Sequence, residues 1–182
     1  MSNATRLALW VRSNLRPETH ALTHLKLQKL VFFAYGAVAA FGLAEVGRLK
    51  FEAWEHGPVN RDVWNEYRAF GATTIPKPSE AGEAYSAGAE TILGDVLSVY
   101  GRLDAWSLRQ QSHLEEPWVN AFNARTPIDE TQIAEHFRRK FRDDVRFPEY
   151  LARTSNFALD RIPVPRFDSL HELARAVQHA LG

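Results

Sequence analysis

The sequence predicts a mainly α-helical protein: a single compact helical domain with a small two- or three-stranded β element, followed by a C-terminal arm plus helix. Three observations predict it. Apolar residues recur at the 3.6-residue helical period over most of the chain up to Phe141. The two-residue alternation of a strand occurs once, over Phe51-Glu52-Ala53-Trp54-Glu55. Beyond this, Phe147-Pro148 and Ile162-Pro163-Val164-Pro165 force an extended backbone, because proline fixes its own φ and restricts the residue before it. The expected division is a domain over 1–143 and an arm with an amphipathic helix over 144–182.

A first helix is expected over Thr5–Leu15, with Leu7 and Val11 on one face and Pro17 ending it. A long second helix is expected over Thr23–Phe41. After Leu30 it is apolar on every side, which marks a helix buried all round, and Gly42 suits its C-terminal cap. Gly57-Pro58 is read as breaking the short strand. Asn60 can cap a helix carrying Val63, Trp64, Tyr67 and Phe70, closed by Gly71. Thr73 to Gly88, with two prolines and two glycines, reads as a loop. Ile92, Val96, Val99 and Leu103 mark a further helix, Asp104 caps a short one through Leu108, and Pro117 suits the first position of the next. Ile128 to Phe141 reads as helical, with Ile133, Phe137 and Phe141 aligned. In the C-terminal segment, Ser169-Leu170-His171-Glu172 fits a capping box, and Leu170, Leu173, Ala174, Val177 and Leu181 form a stripe.

The 182 residues are enough for one ordinary domain. Lys plus Arg and Asp plus Glu are 22 each, so the basic surplus of a general nucleic-acid binder is missing and nucleic acid is not an expected partner. The chain has no cysteine, which excludes disulfides, thiolate nucleophiles and thiolate metal sites. The longest uncharged run, Leu30 to Ala44, is about 15 residues, short of the roughly 20 that span a bilayer. No membrane partner and no signal peptide are expected.

Signatures of catalysis are sparse. There is no glycine-rich phosphate loop, and Ala84-Tyr85-Ser86-Ala87-Gly88 lacks the first glycine and the leading strand of a nucleophile elbow. His20 and His24 have the i, i+4 spacing of helical metal ligands, but no third ligand follows nearby. His56 and His113, the latter beside Glu115 and Glu116, have the residue types of a general-base site in a small hydrolase or nuclease. They equally suit hydrogen-bonded histidines in a seam beside Trp54 and Trp118. Arg138, Arg139, Lys140 and Arg142 could touch phosphates as an operator-binding autorepressor would, or form a solvated face paired with Glu135, Asp143 and Asp144.

Four blocks carry a resemblance. Leu25-Lys26-Leu27-Gln28-Lys29-Leu30-Val31-Phe32-Phe33-Ala34-Tyr35-Gly36 resembles the opening motif of the SocA-like antitoxin family, also called the Panacea domain. Phe51 to Val59 resembles its second motif: an apolar residue, Ala-Trp, two residues, then Gly-Pro-Val. Val99-Tyr100-Gly101 and Leu108 match a third block. Ser112-His113-Leu114-Glu115-Glu116-Pro117-Trp118 is similar to a Thr-His, spacer, Pro-Trp signature, with serine in place of threonine. The resemblance spans residues 5–141 and leaves the arm outside.

The resemblance implies a cytoplasmic antitoxin without enzymatic activity or cofactor. It implies that the partner is a protein toxin encoded in the same operon, bound directly and presented to the ClpXP protease. It marks Lys29, Trp54, His56, Gly57, Pro58, Val59, His113, Glu116, Pro117 and Trp118 as motif residues and candidate partner-binding positions.

Overall fold

The computed structural model describes residues 1–16 and 20–143. The expected arm and capping-box helix of 144–182 lie outside them. By its internal packing the chain divides into two units, Met1–Phe137 and Arg138–Gly182, and the fold below is that of the first.

Among the described residues the order is α1 (Asn3–Asn14), α2 (His24–Ala40), β1 (Phe51–Trp54), β2 (Gly57–Val59), α3 (Arg61–Tyr67), α4 (Ala87–Tyr100), α5 (Ala105–Ser112), α6 (Glu116–Ala124), β3 (Pro127–Ile128) and α7 (Glu130–Asp143), with short 3-10 turns at Ala44–Val46 and Arg68–Phe70. The protein is therefore mainly helical with a three-stranded antiparallel sheet, in the order β2-β1-β3.

α2 is the centre, packed by α1, α3, α4, α5 and β2. Thr23 caps its start, accepting from the Lys26 amide. Its end is a Schellman turn: Gly42 at φ +68° lets its own N–H reach Ala39 O and the Leu43 N–H reach Val38 O. Phe32, Phe33 and Phe137 are fully buried, and Phe33 stacks on Tyr100 with centroids 4.2 Å apart. Phe32 meets Phe51 and Phe137 edge-on at 5.3 and 5.6 Å. Each such ring removed from water contributes on the order of 2 kcal/mol. Gly36 is needed here, because a Cβ on it would lie 2.3 Å from the Phe137 ring.

Three local expectations are corrected. Gly57-Pro58 does not end the β element: a turn at Glu55-His56 returns the chain, and Gly57–Val59 pairs with β1 in the register Glu52↔Val59, Ala53↔Pro58, Trp54↔Gly57. Proline is tolerated because β2 is an edge strand. Ile128 is not helical: it pairs with Phe51, and α7 starts two residues later with Asp129 accepting from the Gln132 amide. Gly88 lies inside α4, not in the loop, because Ser86 caps the helix.

Candidate functional site

The motif residues converge on one seam where α2, the β1–β2 hairpin, α5 and α6 meet. α2 supplies three polar side chains from a helix otherwise closed in by apolar neighbours: Lys26, Gln28 and Lys29 are all buried. The Lys29 ammonium donates to Pro58 O at 2.8 Å. Gln28 takes the main chain of Asn60 from both sides, its Oε1 accepting from the amide at 3.0 Å and its Nε2 donating to the carbonyl at 3.2 Å. Asn60 spends its own side chain on the start of α3, accepting from the Asp62 and Val63 amides, and donates to Lys50 O. Lys26 donates to His20 O and Gly101 O at the other end of the seam.

The start of β2 at Gly57-Pro58 is locked between Lys29 and α5. Gly57 has φ +95°, a region that favours glycine, and a Cβ there would sit 2.5 Å from Ser112 Oγ and 2.9 Å from Lys29 Cε. Ser112, in the family's threonine position, is fully buried and donates to Arg109 O.

His113 stacks flat on Trp118 with centroids 4.0 Å apart, and Trp118 stacks in turn on Phe122 at 4.8 Å. The Trp118 indole donates to Trp54 O at 3.1 Å, so the α6 signature is tied to the β1 signature. Pro117 sits in the first turn of α6 one residue later than expected, since Glu116 begins the helix. Trp54 is only half-buried. Trp64 meets it edge-on and the Arg61 guanidinium lies over its ring, while one side lines an open groove with Phe122 and Arg125 of about 620 Å³.

The seam gathers basic groups that burial pushes toward their neutral forms. Burial, with Arg109 adding repulsion, holds the Lys29 ammonium down to about 7. Burial lowers Lys26 to about 8, opposed by Asp104. His113 is held below the ordinary histidine range by burial first and then by Arg109, Lys29 and His56. No carboxylate lies within ion-pair distance of Lys29 or Arg109 among the described residues.

No hydrogen bond or ion pair joins His56, His113 and Glu116 to one another among the described residues. His56 Nδ1 accepts from Arg109 Nε at 3.3 Å, and His113 Nε2 is buried with no hydrogen-bond partner among the described residues. Glu116 instead faces His136, whose Nδ1 is 3.5 Å from its carboxylate, while His136 Nε2 lies 2.5 Å from the buried Glu115. Among the described residues no group of three His, Asp or Glu is placed to hold a metal ion; His24 sits beside Gln28. Ser86 bonds Glu45, and Arg138 and Arg139 are exposed on α7.

A family model described as antitoxin SocA-like, Panacea domain, matches residues 27–119, half of the chain. The chain belongs to the SocA-like antitoxin family. The matched Panacea segment begins on α2 and ends on α6, so it holds most of the seam but not Lys26 or Phe122; the resemblance in the sequence is wider, over 5–141. No curated protein and no solved structure matches the chain. No helix among the described residues is long and apolar enough to cross a membrane.

Within this SocA-like domain the sequence names Gln28 and Glu115 only inside motif strings or beside His113, without the partners they have here, and Arg109 is not among its candidates. Gln28 precedes the all-apolar run after Leu30 and stands among Lys26 and Lys29, so no local pattern marked it as buried. Arg109 and the Glu115–His136 pair carried no signal, because their partners are distant in sequence.

Proposed function

We propose that this chain is an antitoxin that neutralises a protein toxin encoded beside it by direct binding, and that it acts as an adaptor delivering that toxin to ClpXP. The membership of residues 27–119 in an antitoxin family carries the reading. The geometry supports a binding role. The motif residues are spent on bracing a hairpin between helices, with Lys29, Gln28 and Ser112 bonded to backbone, and Trp106, Leu114 and Phe122 stand exposed beside it. An adaptor needs no chemistry of its own. It raises the local concentration of its cargo at the protease.

The test is co-expression with the neighbouring gene, followed by degradation of the purified toxin by ClpXP with ATP. Growth protection, a 1:1 or higher-order complex, and toxin turnover that requires this chain are expected. Protection and a stable complex without accelerated turnover would remove the adaptor step and leave neutralisation by binding. Failure of both protection and complex formation would overturn the reading.

A further inference from the structure

We infer that the turn at Glu55-His56, which joins β1 to β2, is a proton-sensitive latch: it is closed on α5 while His56 and His113 are neutral, and it is released when they take up protons. The inference stands apart from the antitoxin reading and is tested on this chain alone.

Three observations carry it. The first is the polarity of one hydrogen bond. Arg109 donates from Nε to His56 Nδ1 at 3.3 Å. A guanidinium has donors only, so Nδ1 offers its lone pair and the ring is bound neutral, with its proton on Nε2. Protonation turns Nδ1 into a donor facing a donor, and two cations are left side by side. The same arginine donates from Nη2 to Glu55 O at 3.4 Å and lies over Trp106 at 5.0 Å, so it clasps both residues of the turn to α5. The second is His113. Its ring stacks on Trp118 at 4.0 Å and bonds the Glu55 carbonyl, while its Nε2 is buried without a hydrogen-bond partner among the described residues. A proton on Nε2 would make a buried donor that has no acceptor. Burial first, then Arg109, Lys29 and His56, hold this ring below the ordinary histidine range. The closed turn therefore binds fewer protons than the open one, and acid favours opening.

The third is the lack of an opposite charge to absorb those protons. The hairpin packs on α2, α5 and α6. α2 presents Lys29, which gains its own proton as pH falls through about 7. α5 presents Arg109. The two acids of the α6 start, Glu115 and Glu116, face His136. On the hairpin itself Glu52 pairs with Arg61, and the exposed Glu55 carboxylate is not within ion-pair distance of Arg109, His56 or His113. Each proton taken up thus adds to charge of one sign. The release is local. Glu55 and His56 are exposed, whereas Gly57 to Val59 are buried, and the Lys29 bond to Pro58 O survives protonation because an ammonium still donates.

The experiment is amide hydrogen exchange of the full chain, read by NMR at about pH 7.5 and about pH 5.5, a window that spans histidine protonation. Intrinsic exchange rates are divided out, so that protection factors report opening. The Gly57 amide, paired with Trp54 across the turn, is expected to lose about tenfold more protection on acidification than the amides of Phe32 to Val38 in α2. His56→Gln keeps an acceptor for Arg109 that takes up no proton, and is expected to cut the extra loss to about threefold or less. Adding His113→Phe, which keeps a ring on Trp118, is expected to abolish it. His56 is exposed, so the single variant keeps the wild-type melting temperature and decides the matter if the double variant melts early. Equal losses at Gly57 and in α2 of the wild type mean global rather than local opening and overturn the latch. No loss at Gly57 overturns it too, as does a full extra loss that persists in His56→Gln.

Discussion

The side chain of Gln28 pairs with the backbone of Asn60 as a neighbouring strand would, accepting from its N–H at 3.0 Å and donating to its C=O at 3.2 Å. The central helix thus grips the point where β2 ends and α3 begins. Its neighbour Lys29 grips Pro58 two residues earlier. Together they fix the path of the Gly-Pro-Val segment with hydrogen bonds rather than with apolar packing.

Replacing Gln28 by leucine removes both bonds and leaves the Asn60 amide without a partner, while the Asn60 carbonyl keeps the Trp64 amide. One such orphan costs about 1–3 kcal/mol, so Gln28→Leu is expected to lower stability by about 1–3 kcal/mol. Urea denaturation read by tryptophan fluorescence measures it, and a midpoint equal to wild type would show that water replaces the clamp.

Gly57→Ala places a β-carbon against Ser112 and Lys29 at an unfavourable φ. Overpacking and backbone strain add, and a loss above about 2 kcal/mol is expected. Ser112→Ala in the same background relieves the closest of the clashes, so the double variant should regain part of the loss; equal midpoints for single and double variants would argue against the clash.

Lys29 makes stability depend on pH. Its folded state releases a proton near 7, whereas the unfolded lysine keeps it to the ordinary 10.5. Across that window, from about 7 to 10.5, the unfolded chain binds the extra proton, so wild-type stability rises with pH there and is lost as pH falls from 10.5 to about 7. Lys26, held down to about 8, adds a rise of the same sign above that value. Lys29→Met loses the donor to Pro58 and is expected to be less stable by about 1–3 kcal/mol at pH 9. The deficit should shrink or vanish at pH 6, where wild type holds a buried charge without a counter-ion. Parallel stability curves for the two proteins would refute the assignment.

Trp118→Phe keeps a ring against His113 and Phe122 but deletes the N–H that satisfies Trp54 O. A loss of about 1–2 kcal/mol is expected, against about 3–5 kcal/mol for Trp118→Ala. Thermal melts of the two variants separate the hydrogen bond from the stack; similar melting temperatures would mean that the indole bond contributes nothing.

Much of the helical architecture was legible because local chemistry specifies it. Asn60 and Asp104 each cap the helix that follows, through a side chain within three residues of the amide it serves. The all-apolar run after Leu30 requires burial wherever it is placed, and α2 is the core helix. Two of the three errors fall where pairing is non-local, and the third is the Ser86 cap that takes Gly88 into α4. Gly57-Pro58 has the composition of a breaker, and only the antiparallel register with Glu52 to Trp54 makes it a strand. Ile128 fits a helical period and is taken out of it by pairing with Phe51, far away in the chain.

The candidate site divides in the same way. Sequence alone determined the family and the residues that carry it, since the four blocks are strings of adjacent positions. It also singled out Lys29, Trp54, Gly57, His113 and Trp118. Tertiary structure decided what they do. It left Trp54 half-buried, gave Glu116 to His136 rather than to His56 or His113, and set Arg109 between His56 and Trp106 with no carboxylate beside it among the described residues. The physical reason is range. A cap or a helical stripe is satisfied within a few residues, whereas a buried charge, a stacked ring or an orphaned carbonyl is satisfied only by what folding brings beside it, and no local pattern encodes that neighbour.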